Sequence, residues 1–345
     1  MHKKNRIVYF FLLMGINCFS AEQNSSWTWL HRKYFSNEEQ EQNKIKKAII
    51  CAKNNLPHFN QLIFSWNALR PKKGYFTFYA QIKNAKTQKW GKWHRMISWG
   101  NNIQKSYKTN PDQLSSYHHV RLESAIDSKA DAFAIKVESE EGADLALLKS
   151  FAVNLSNFSN FKSELEQNLA SLSTVYIQGV PQFSQFELDH PRNDGFCSPT
   201  SCAMLISYLM SKRIDPVKFA EKSHDTGLDK YGSWPFNMAH AFEHSQGKIS
   251  FAVTRFNSFK NLYAHLSKGI PVVISVRGYI QGAPKVYNNG HLLLVIGYDA
   301  KTKDVICHDP AVSDAKIVKK RYPLKSFLSA WERSHRLAYL AHPLT

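Results

Sequence analysis

The sequence predicts an α+β domain, built of helices and an antiparallel sheet, that follows an all-β sandwich domain. Apolar and polar residues alternate through residues 58–160, which is typical of half-buried β-strands. Beyond residue 175 the pattern changes to amphipathic helical segments followed by short β-branched runs, which indicates helices packed on a sheet. A chain of 345 residues is long enough for two such domains, each with a core of its own.

Residues 1–21 have the layout of a secretory signal peptide. Three basic residues precede an apolar run from Ile7 to Ile16, and small residues follow it. The run is short for a bilayer span, so we expect cleavage near Ser20 or Ala21 rather than a membrane anchor. The sequence therefore predicts an exported protein, periplasmic or secreted, with no integral membrane segment after cleavage.

Basic residues strongly outnumber acidic residues. The formal net charge is +18, and removal of residues 1–21 leaves +15. Such a surface attracts anionic partners such as envelope polymers, lipid head groups or acidic proteins, whereas nucleic acid is not an expected partner of an exported protein. The alternative is that the lysine-rich surface only maintains solubility. The composition does not determine the oligomeric state.

We expect residues 22–57 to form a helical segment ahead of the sandwich. Ser36 and Glu39 have the spacing of a capping box, in which each side chain bonds the backbone N–H of the other residue. Acidic residues come early in the segment and lysines come late, an order that the helix dipole favours. The segment therefore predicts a surface helix that leads into the first domain.

Residues 58–160 predict the β-sandwich domain, and the polar residues 161–174 predict the linker that follows it. One predicted strand has an apolar face made of Phe76, Phe78, Ala80 and Ile82. The sandwich also holds a cluster of tryptophans, Trp66, Trp90, Trp93 and Trp99. Two interpretations of this cluster stay open: aromatic side chains that fill the core, or a platform on which sugars stack.

Residues 175–345 predict the α+β domain. The stretches "SPTSCAMLISYLMSKR" and "FNSFKNLYAHLSKGI" have the apolar stripes of helices. The predicted strands are "PVVISVRGY", "HLLLVIGYD" and "DVICHDP". A helix followed by strands is typical of an α+β plan.

One cysteine lies where a helix is predicted to begin. Pro199 suits the first turn of a helix, which places Cys197 at the helix N-terminus, where unpaired N–H groups and the dipole favour a thiolate. Cys202 lies about 140° further round the same helix, so we expect it to be a packing residue. With Cys51 and Cys307, four cysteines remain after residue 21, too few for a disulfide scaffold.

A predicted hairpin further along the chain supplies an imidazole and a carboxylate. If the hairpin turns near Ala300, His291 and Asp309 lie directly opposite each other, with Cβ atoms roughly 5 Å apart. Asp309 could then accept a hydrogen bond from the His291 ring and orient it. This expectation depends on the register of the hairpin, because a shift of one residue would place His308 or Pro310 opposite His291 instead.

Two stretches of the chain resemble a known family. They are "VPQFSQFELDHPRNDGFCSPTSCAMLISYL" and "LSKGIPVVISVRGYIQGAPKVYNNGHLLLVIGYDAKTKDVICHDPAV", and they are similar to the papain-fold cysteine peptidases of family thirty-nine, in its C39-like branch. The resemblance covers residues 175–340 and implies a papain-like domain. It does not carry over leader-peptide processing, because the sequence shows no transporter segment and no double-glycine leader.

The resemblance implies a role for four residues. Cys197 corresponds to the nucleophile, His291 to the general base and Asp309 to the acid that orients the base. Gln185 corresponds to the glutamine that helps to form the oxyanion hole, with Gln182 as the competing glutamine. These residues predict an exported cysteine peptidase that hydrolyses a peptide or amide bond of a peptide or protein, cell-envelope peptides among them.

Other functions stay open at this stage. The same nucleophile would serve an amidase, a deamidase or an acyltransferase, because the residues do not specify the bond that is attacked. A non-catalytic envelope-binding protein, with Cys197 as a buried structural thiol, is the alternative from another class.

Two possible metal sites are weaker interpretations, and we predict neither a metal nor another cofactor. One set of soft ligands consists of Cys197, Cys202, Cys307 and His308. Helical phase separates its first two thiols, and no short paired-ligand motif is present. His240 and His244 lie one helical turn apart, but the pattern lacks the glutamate of a zinc-peptidase helix and a third ligand nearby.

Overall fold

A computed structural model describes residues 26–165 and 172–343 of the chain. Within them lie three antiparallel sheets and six α-helices, with a strand-rich N-terminal part and a mixed C-terminal part, so the predicted fold class is confirmed. The predicted signal peptide lies outside the described residues, as do residues 166–171 of the predicted linker. No helix in the described parts of the chain is both long and apolar enough to cross a membrane.

Two five-stranded sheets form the N-terminal sandwich. Their strand orders are β1-β10-β3-β8-β7 and β2-β9-β4-β5-β6. The strands are β1 (Thr28–Tyr34), β2 (Ala48–Lys53), β3 (Gln61–Ala68), β4 (Tyr75–Asn84), β5 (His94–Gly100), β6 (Gln104–Ser106), β7 (Ser115–His118), β8 (Arg121–Ser124), β9 (Ala130–Glu140) and β10 (Leu148–Ser156).

The segment 22–57 differs from the helix expected there. Its helix, α1 (Asn37–Asn43), has the predicted capping box: Glu39 N donates to Ser36 Oγ at 3.2 Å and Ser36 N donates to Glu39 Oε2 at 2.8 Å. On either side of α1, however, β1 pairs with β10 and β2 pairs with β9. The hydrogen bonds of these two ladders override the helical pattern, so the sheets begin at Thr28 rather than near residue 58.

The tryptophans of the sandwich divide between the core and the surface. Trp66 and Trp99 are fully buried, and their rings meet edge to face with centroids 5.6 Å apart. Trp90 is 39% exposed. Two of the four tryptophans therefore fill the core, and they do not form a continuous stacking platform with Trp90.

A seven-stranded sheet forms the centre of the C-terminal part. Its order is β12-β17-β13-β14-β15-β16, with β11 paired to β14. The strands are β11 (Val175–Tyr176), β12 (Ile249–Arg255), β13 (Val272–Gly278), β14 (Tyr287–Asp299), β15 (Asp304–His308), β16 (Lys319–Pro323) and β17 (Leu337–Pro343). The helices are α2 (Cys197–Leu209), α3 (Pro216–Ser223), α4 (Trp234–His244), α5 (Phe259–Leu266) and α6 (Leu324–Glu332).

Helix α2 is the central helix of this part. Its residues from Ser198 to Ser207 are buried on every side, because α2 packs against β14 on one side and against α3 and α4 on the other. Such burial suits the sequence of the helix, which contains no charged residue and whose buried polar side chains are small hydroxyls. The helix therefore holds its N-terminus, with Cys197, in a fixed position beside β14.

Side chains of β3 join the sandwich to β12, the terminal strand of the second sheet. Asn67 Oδ1 accepts from Phe251 N at 2.7 Å, and Asn67 Nδ2 donates to Phe251 O at 3.0 Å. Two residues further along, Ser65 Oγ accepts from Val253 N at 3.1 Å. The free edge of a strand exposes unpaired backbone N–H and C=O groups. At β12 the side chains of Asn67 and Ser65 bond these groups in place of a neighbouring strand. The sandwich is thereby fixed to the second sheet.

We expect Asn67→Ala to destabilise the fold by about 1–3 kcal/mol, because the N–H and C=O of Phe251 would stay buried without partners. Urea unfolding of the full chain measures the difference. Asn54→Ala, which truncates an exposed asparagine, is the matched control and should unfold like the wild type. Equal midpoints for the two variants would contradict the role given to Asn67.

Candidate active site

A buried hydrogen bond joins the two residues of the predicted hairpin. His291 Nε2 lies 2.8 Å from Asp309 Oδ1, and the two residues are 3% and 0% exposed. His291 belongs to β14, whereas Asp309 follows the last residue of β15. The structure therefore brings together the imidazole and the carboxylate that the sequence singles out.

The register that produces this contact differs from the expected one by two residues. Leu294 pairs with His308 and Val295 with Cys307, so by extension of the ladder Asp309 lies opposite residue 293 and not opposite His291. The hairpin loop, residues 300–303, is centred after Lys301 rather than at Ala300, which moves the register by three residues, and a bulge in β14 moves it back by one. Side chains two residues apart on a strand share a face, and diagonal neighbours on that face still reach each other. The expected pairing is wrong, but the contact forms.

Four donors surround the Asp309 carboxylate. Oδ1 accepts from His291 and from the backbone N–H of Ala311 at 2.9 Å, and Oδ2 accepts from the hydroxyls of Tyr287 and Tyr322, each at 2.6 Å. Burial alone would raise the pKa of Asp309. The charge and hydrogen bond of His291 and the two tyrosine hydroxyls outweigh it and lower the pKa to about 2. Asp309 is therefore a carboxylate at neutral pH.

The two tyrosines were not expected from the sequence. Tyr287 also stacks on the His291 ring, with centroids 4.1 Å apart and planes 13° apart. The sequence pattern could have indicated Tyr287, because this residue precedes His291 by four positions in one strand and therefore shares its face. Tyr322 gave no such signal, since it reaches Asp309 through the pairing of β16 with β15, which local patterns do not reveal.

Cys197 lies beside His291 at the start of α2 and is partly exposed. The Nε2 atom of His291 bonds Asp309, which leaves Nδ1 as the ring nitrogen available to the thiol. Burial would raise the pKa of Cys197, but the hydrogen bond and charge of His291, together with the backbone N–H groups of Leu292 and Ser198, lower it. This environment favours the thiolate.

The same contacts favour the imidazolium form of His291. Burial lowers the pKa of a histidine, but the carboxylate of Asp309 and the bond to Cys197 outweigh burial and raise the pKa to about 9. A raised His291 pKa and a lowered Cys197 pKa both favour a thiolate–imidazolium ion pair. Such a thiolate can attack a carbonyl carbon, and such an imidazolium can donate a proton.

The neighbours of α2 hold Cys197 in place. Phe196 is fully buried and packs on His190 and Tyr231, with ring centroids 4.6 Å away in each case. Ser201 Oγ donates to Leu292 O at 3.2 Å and so ties the helix to β14 one residue after His291. Cys202 is fully buried in the hydrophobic core, and burial raises its pKa well above the usual range. Cys202 therefore packs while Cys197 faces the open side.

Gln185 lies close to Cys197 but presents no free donor. Its Nε2 donates to Asn193 O at 3.0 Å and to Asp194 O at 2.8 Å, which uses both hydrogens of the amide. Its Oε1 is buried without a hydrogen-bond partner among the described residues. The resemblance implies an oxyanion donor, but in this conformation Gln185 instead holds the turn that precedes Cys197.

The residues considered as metal ligands have other surroundings. His240 Nδ1 lies 3.1 Å from Glu243 Oε2, and the rings of His240 and His244 meet edge to face. His308 Nδ1 donates to Pro181 O at 2.9 Å, and Cys307 is buried in the core. Across residues 26–165 and 172–343, no three or more His, Cys, Asp or Glu side chains converge in a way that could hold a metal ion.

A cleft of about 770 Å³ opens at Cys197 and His291. Its walls come from the loop 228–234, from β13 and β14, and from the turn 333–335. The β7–β8 hairpin of the sandwich also lines it, through residues 119–121. Of residues 277–290, which directly precede His291, the two ends contribute to the lining. The cleft therefore lies between the two parts of the chain and has room for a short peptide.

Residues 177–339 match the model of the Peptidase_C39 like family. None of the curated proteins matches the chain significantly. Among solved structures, the chain is similar to a Bacillus anthracis protein considered a C39-like peptidase, with 20% identity, a TM-score of 0.38, and coverage of 50% of this chain and 99% of that one.

It is also similar to xylellain, a cysteine protease from Xylella fastidiosa, with 12% identity, a TM-score of 0.31, and coverage of 52% of this chain and 90% of that one. The family match spans the strands and the helix that carry Cys197, His291 and Asp309. Residues 177–339, just under half of the chain, therefore resemble the Peptidase_C39 like family.

Proposed function

We propose that the protein is an exported cysteine peptidase that hydrolyses a bond in a peptide or protein with Cys197 as its nucleophile. The observation that carries this proposal is the buried series of contacts from Asp309 through His291 to a thiol at the cleft. The family match supports a peptidase-type function. A structural thiol would need neither a lowered pKa nor an oriented imidazole.

In the proposed reaction the Cys197 thiolate attacks the carbonyl carbon of the substrate, a C–S bond forms, and the carbonyl oxygen becomes an oxyanion. The imidazolium of His291 then donates its Nδ1 proton to the amine nitrogen as the C–N bond breaks. Water attacks the resulting thioester and gives its proton to the now neutral His291. The acid product leaves, and the thiolate–imidazolium pair is restored.

The start of α2 offers the donor for the oxyanion. The first N–H groups of a helix have no partner within the helix, so the backbone N–H of Cys197 can point at the developing charge. Gln185 supports this geometry by bonding the carbonyls of the turn just before Cys197. We therefore give Gln185 a positioning role rather than that of a direct donor.

Export is part of the proposal and rests on the signal-peptide pattern of residues 1–21. We expect the protein recovered from outside the cytoplasm of its producing cell to lack these residues. Intact-mass measurement with N-terminal peptide mapping checks this expectation, and the cytosolic fraction is the control. An uncleaved N-terminus in the exported material would contradict it.

We expect iodoacetamide at pH 6 to label Cys197 at least about tenfold faster than Cys51, since a thiol of ordinary pKa, about 8.5, is almost fully protonated there. The lowered pKa of Cys197 keeps its thiolate populated as the pH falls, whereas burial raises the pKa of Cys51. Mass spectrometry of timed samples measures both rates.

Urea-unfolded protein is the control for this labelling, because both thiols should then react alike. Equal rates in the folded protein would refute the ion pair. Peptide cleavage provides the second test: a peptide mixture digested by the wild type should stay intact with Cys197→Ala. Cleavage by that variant would refute the mechanism.

We expect Gln185→Ala to slow both the alkylation of Cys197 and peptide hydrolysis, and to destabilise the fold by about 1–3 kcal/mol, because the turn before Cys197 loses two hydrogen bonds. Alkylation forms no oxyanion. An oxyanion donor would therefore affect hydrolysis alone, and unchanged alkylation would overturn the positioning role. Gln182→Ala, at an exposed glutamine three residues away, is the matched control.

A further inference from the structure

The lining of the cleft is strongly basic. Its charged members other than His291 are the cations Arg121, Arg192, Lys230, Arg255, Arg277 and Arg333 and the acids Asp194 and Asp229. Asp229 accepts from Arg192 at 2.7 Å and lies 2.9 Å from His224, so this acid is already paired. Five cations and one acid then remain on the lining. The proposed peptidase function does not by itself require this excess of positive charge on the lining.

Arg255 is the most buried of these cations. It is 5% exposed at the end of β12, and it donates to Ser334 O at 2.7 Å, to His335 O at 2.9 Å and to Gln61 Oε1 at 2.8 Å. None of these acceptors is a carboxylate, and Nε has no hydrogen-bond partner among the described residues. A buried charge without a counter-ion is unfavourable, so an anion in the cleft would be stabilised here.

Arg121 brings a second guanidinium from the sandwich. It follows the two-residue turn of the β7–β8 hairpin, where His119 and Val120 both have positive φ, 47° and 59°. A β-branched residue rarely adopts that conformation, and Val120 is buried, so packing maintains the turn. Arg121 Nε lies 3.5 Å from Glu123 Oε1, a loose and partly exposed pair. Its charge is therefore only partly compensated.

Arg277 and Arg333 add exposed cations at the rim of the cleft. The guanidinium of Arg333 donates to Arg277 O at 2.9 Å and to Tyr279 O at 3.2 Å, both of them backbone carbonyls. These bonds orient the group without neutralising its charge. A guanidinium binds a carboxylate through two parallel hydrogen bonds, which makes carboxylates its preferred ligands in peptides.

We propose that the cleft selects peptides that carry carboxylate groups near the bond to be cleaved, with Arg121 and Arg255 as their binding positions and Arg277 and Arg333 as the charged rim. The claim of substrate class rests on the proposed peptidase function, whereas the claim of anion binding rests on the cleft alone. Acidic side chains and a free C-terminal carboxylate share the same chemistry, and the experiments distinguish them.

The first experiment compares iodoacetate with iodoacetamide at Cys197. The two reagents share a leaving group and differ in charge, so the ratio of their rates reports the potential at the thiol. We expect Arg121→Gln combined with Arg277→Gln to lower this ratio at least about threefold, and 0.5 M salt to lower it as well. The imidazolium of His291 raises the ratio equally in all variants.

Arg213→Gln is the matched control, because Arg213 is an exposed arginine outside the cleft that packs on Phe183. An unchanged ratio in the double variant, or an equal fall with Arg213→Gln, would overturn the proposal. The iodoacetamide rate by itself tests the thiolate of the proposed function. A failure of anion selection and a failure of the nucleophile are therefore distinguishable.

The second experiment measures binding with full-length Cys197→Ala, which removes the attacking thiol. Three dye-labelled decapeptides of glycine and alanine serve as probes: one with three glutamates and a C-terminal amide, one with three glutamines and an amide, and one with three glutamines and a free C-terminus. We expect at least about tenfold tighter binding of the glutamate peptide than of the glutamine amide by fluorescence anisotropy.

The added substitution Arg121→Gln should remove most of that difference, and Arg213→Gln should not. If the glutamine peptide with a free C-terminus binds as tightly as the glutamate peptide, the site recognises a terminal carboxylate. If it binds as weakly as the glutamine amide, the site recognises acidic side chains. Equal affinity for all three peptides would overturn the proposal. Arg255 itself is not replaced, because its bonds to Ser334 and His335 also hold a turn of the fold.

Discussion

The buried carboxylate of Asp309 is the interaction on which the geometry of the site depends. A fully buried charge is tolerated only where hydrogen bonds and an opposite charge compensate for the loss of water. Asp309 obtains them from β14, through Tyr287 and His291, from β16, through Tyr322, and from its own loop, through Ala311 N. Meeting this one requirement therefore holds the strands in register and gives the His291 ring a single orientation.

A second constraint links the sandwich to the chemistry of the cleft. The free edge of β12 is paired by Asn67 and Ser65 of β3, and Gln61 of the same strand accepts from Arg255 at the end of β12. The contact that protects the edge also brings the β7–β8 hairpin, which lies in the same sheet as β3, to the cleft. The N-terminal domain is thus one wall of the candidate site, and its docking determines which charges face a substrate.

Local patterns in the sequence were sufficient to single out the residues that meet at the candidate site. A proline in the first turn of a helix marks Cys197, and an alternating hairpin marks His291 and Asp309. The register was beyond those patterns, because it depends on a bulge. Near the turn, Asp299 pairs with Asp304 and Tyr298 pairs with Val305. If this register continued along the two strands, Asp309 would lie on the face of the sheet opposite to that of His291.

One extra residue in β14, between Val295 and Gly297, restores the shared face. Other features depend on contacts between distant segments. The strands β1 and β2 form because partners at least 80 residues away pair with them. The basic lining of the cleft likewise comes from separate parts of the chain, which no local pattern brings together.

The charges of the cleft and of the reacting pair act on each other. A thiolate and the oxyanion that follows it would repel an acidic peptide in a neutral cleft. Guanidinium groups around the cleft offset that repulsion. A carboxylate bound to Arg121 or Arg255 would then remain compatible with the lowered pKa of Cys197. The basic lining therefore suits the proposed substrates as long as each carboxylate is held on a guanidinium rather than beside the thiol.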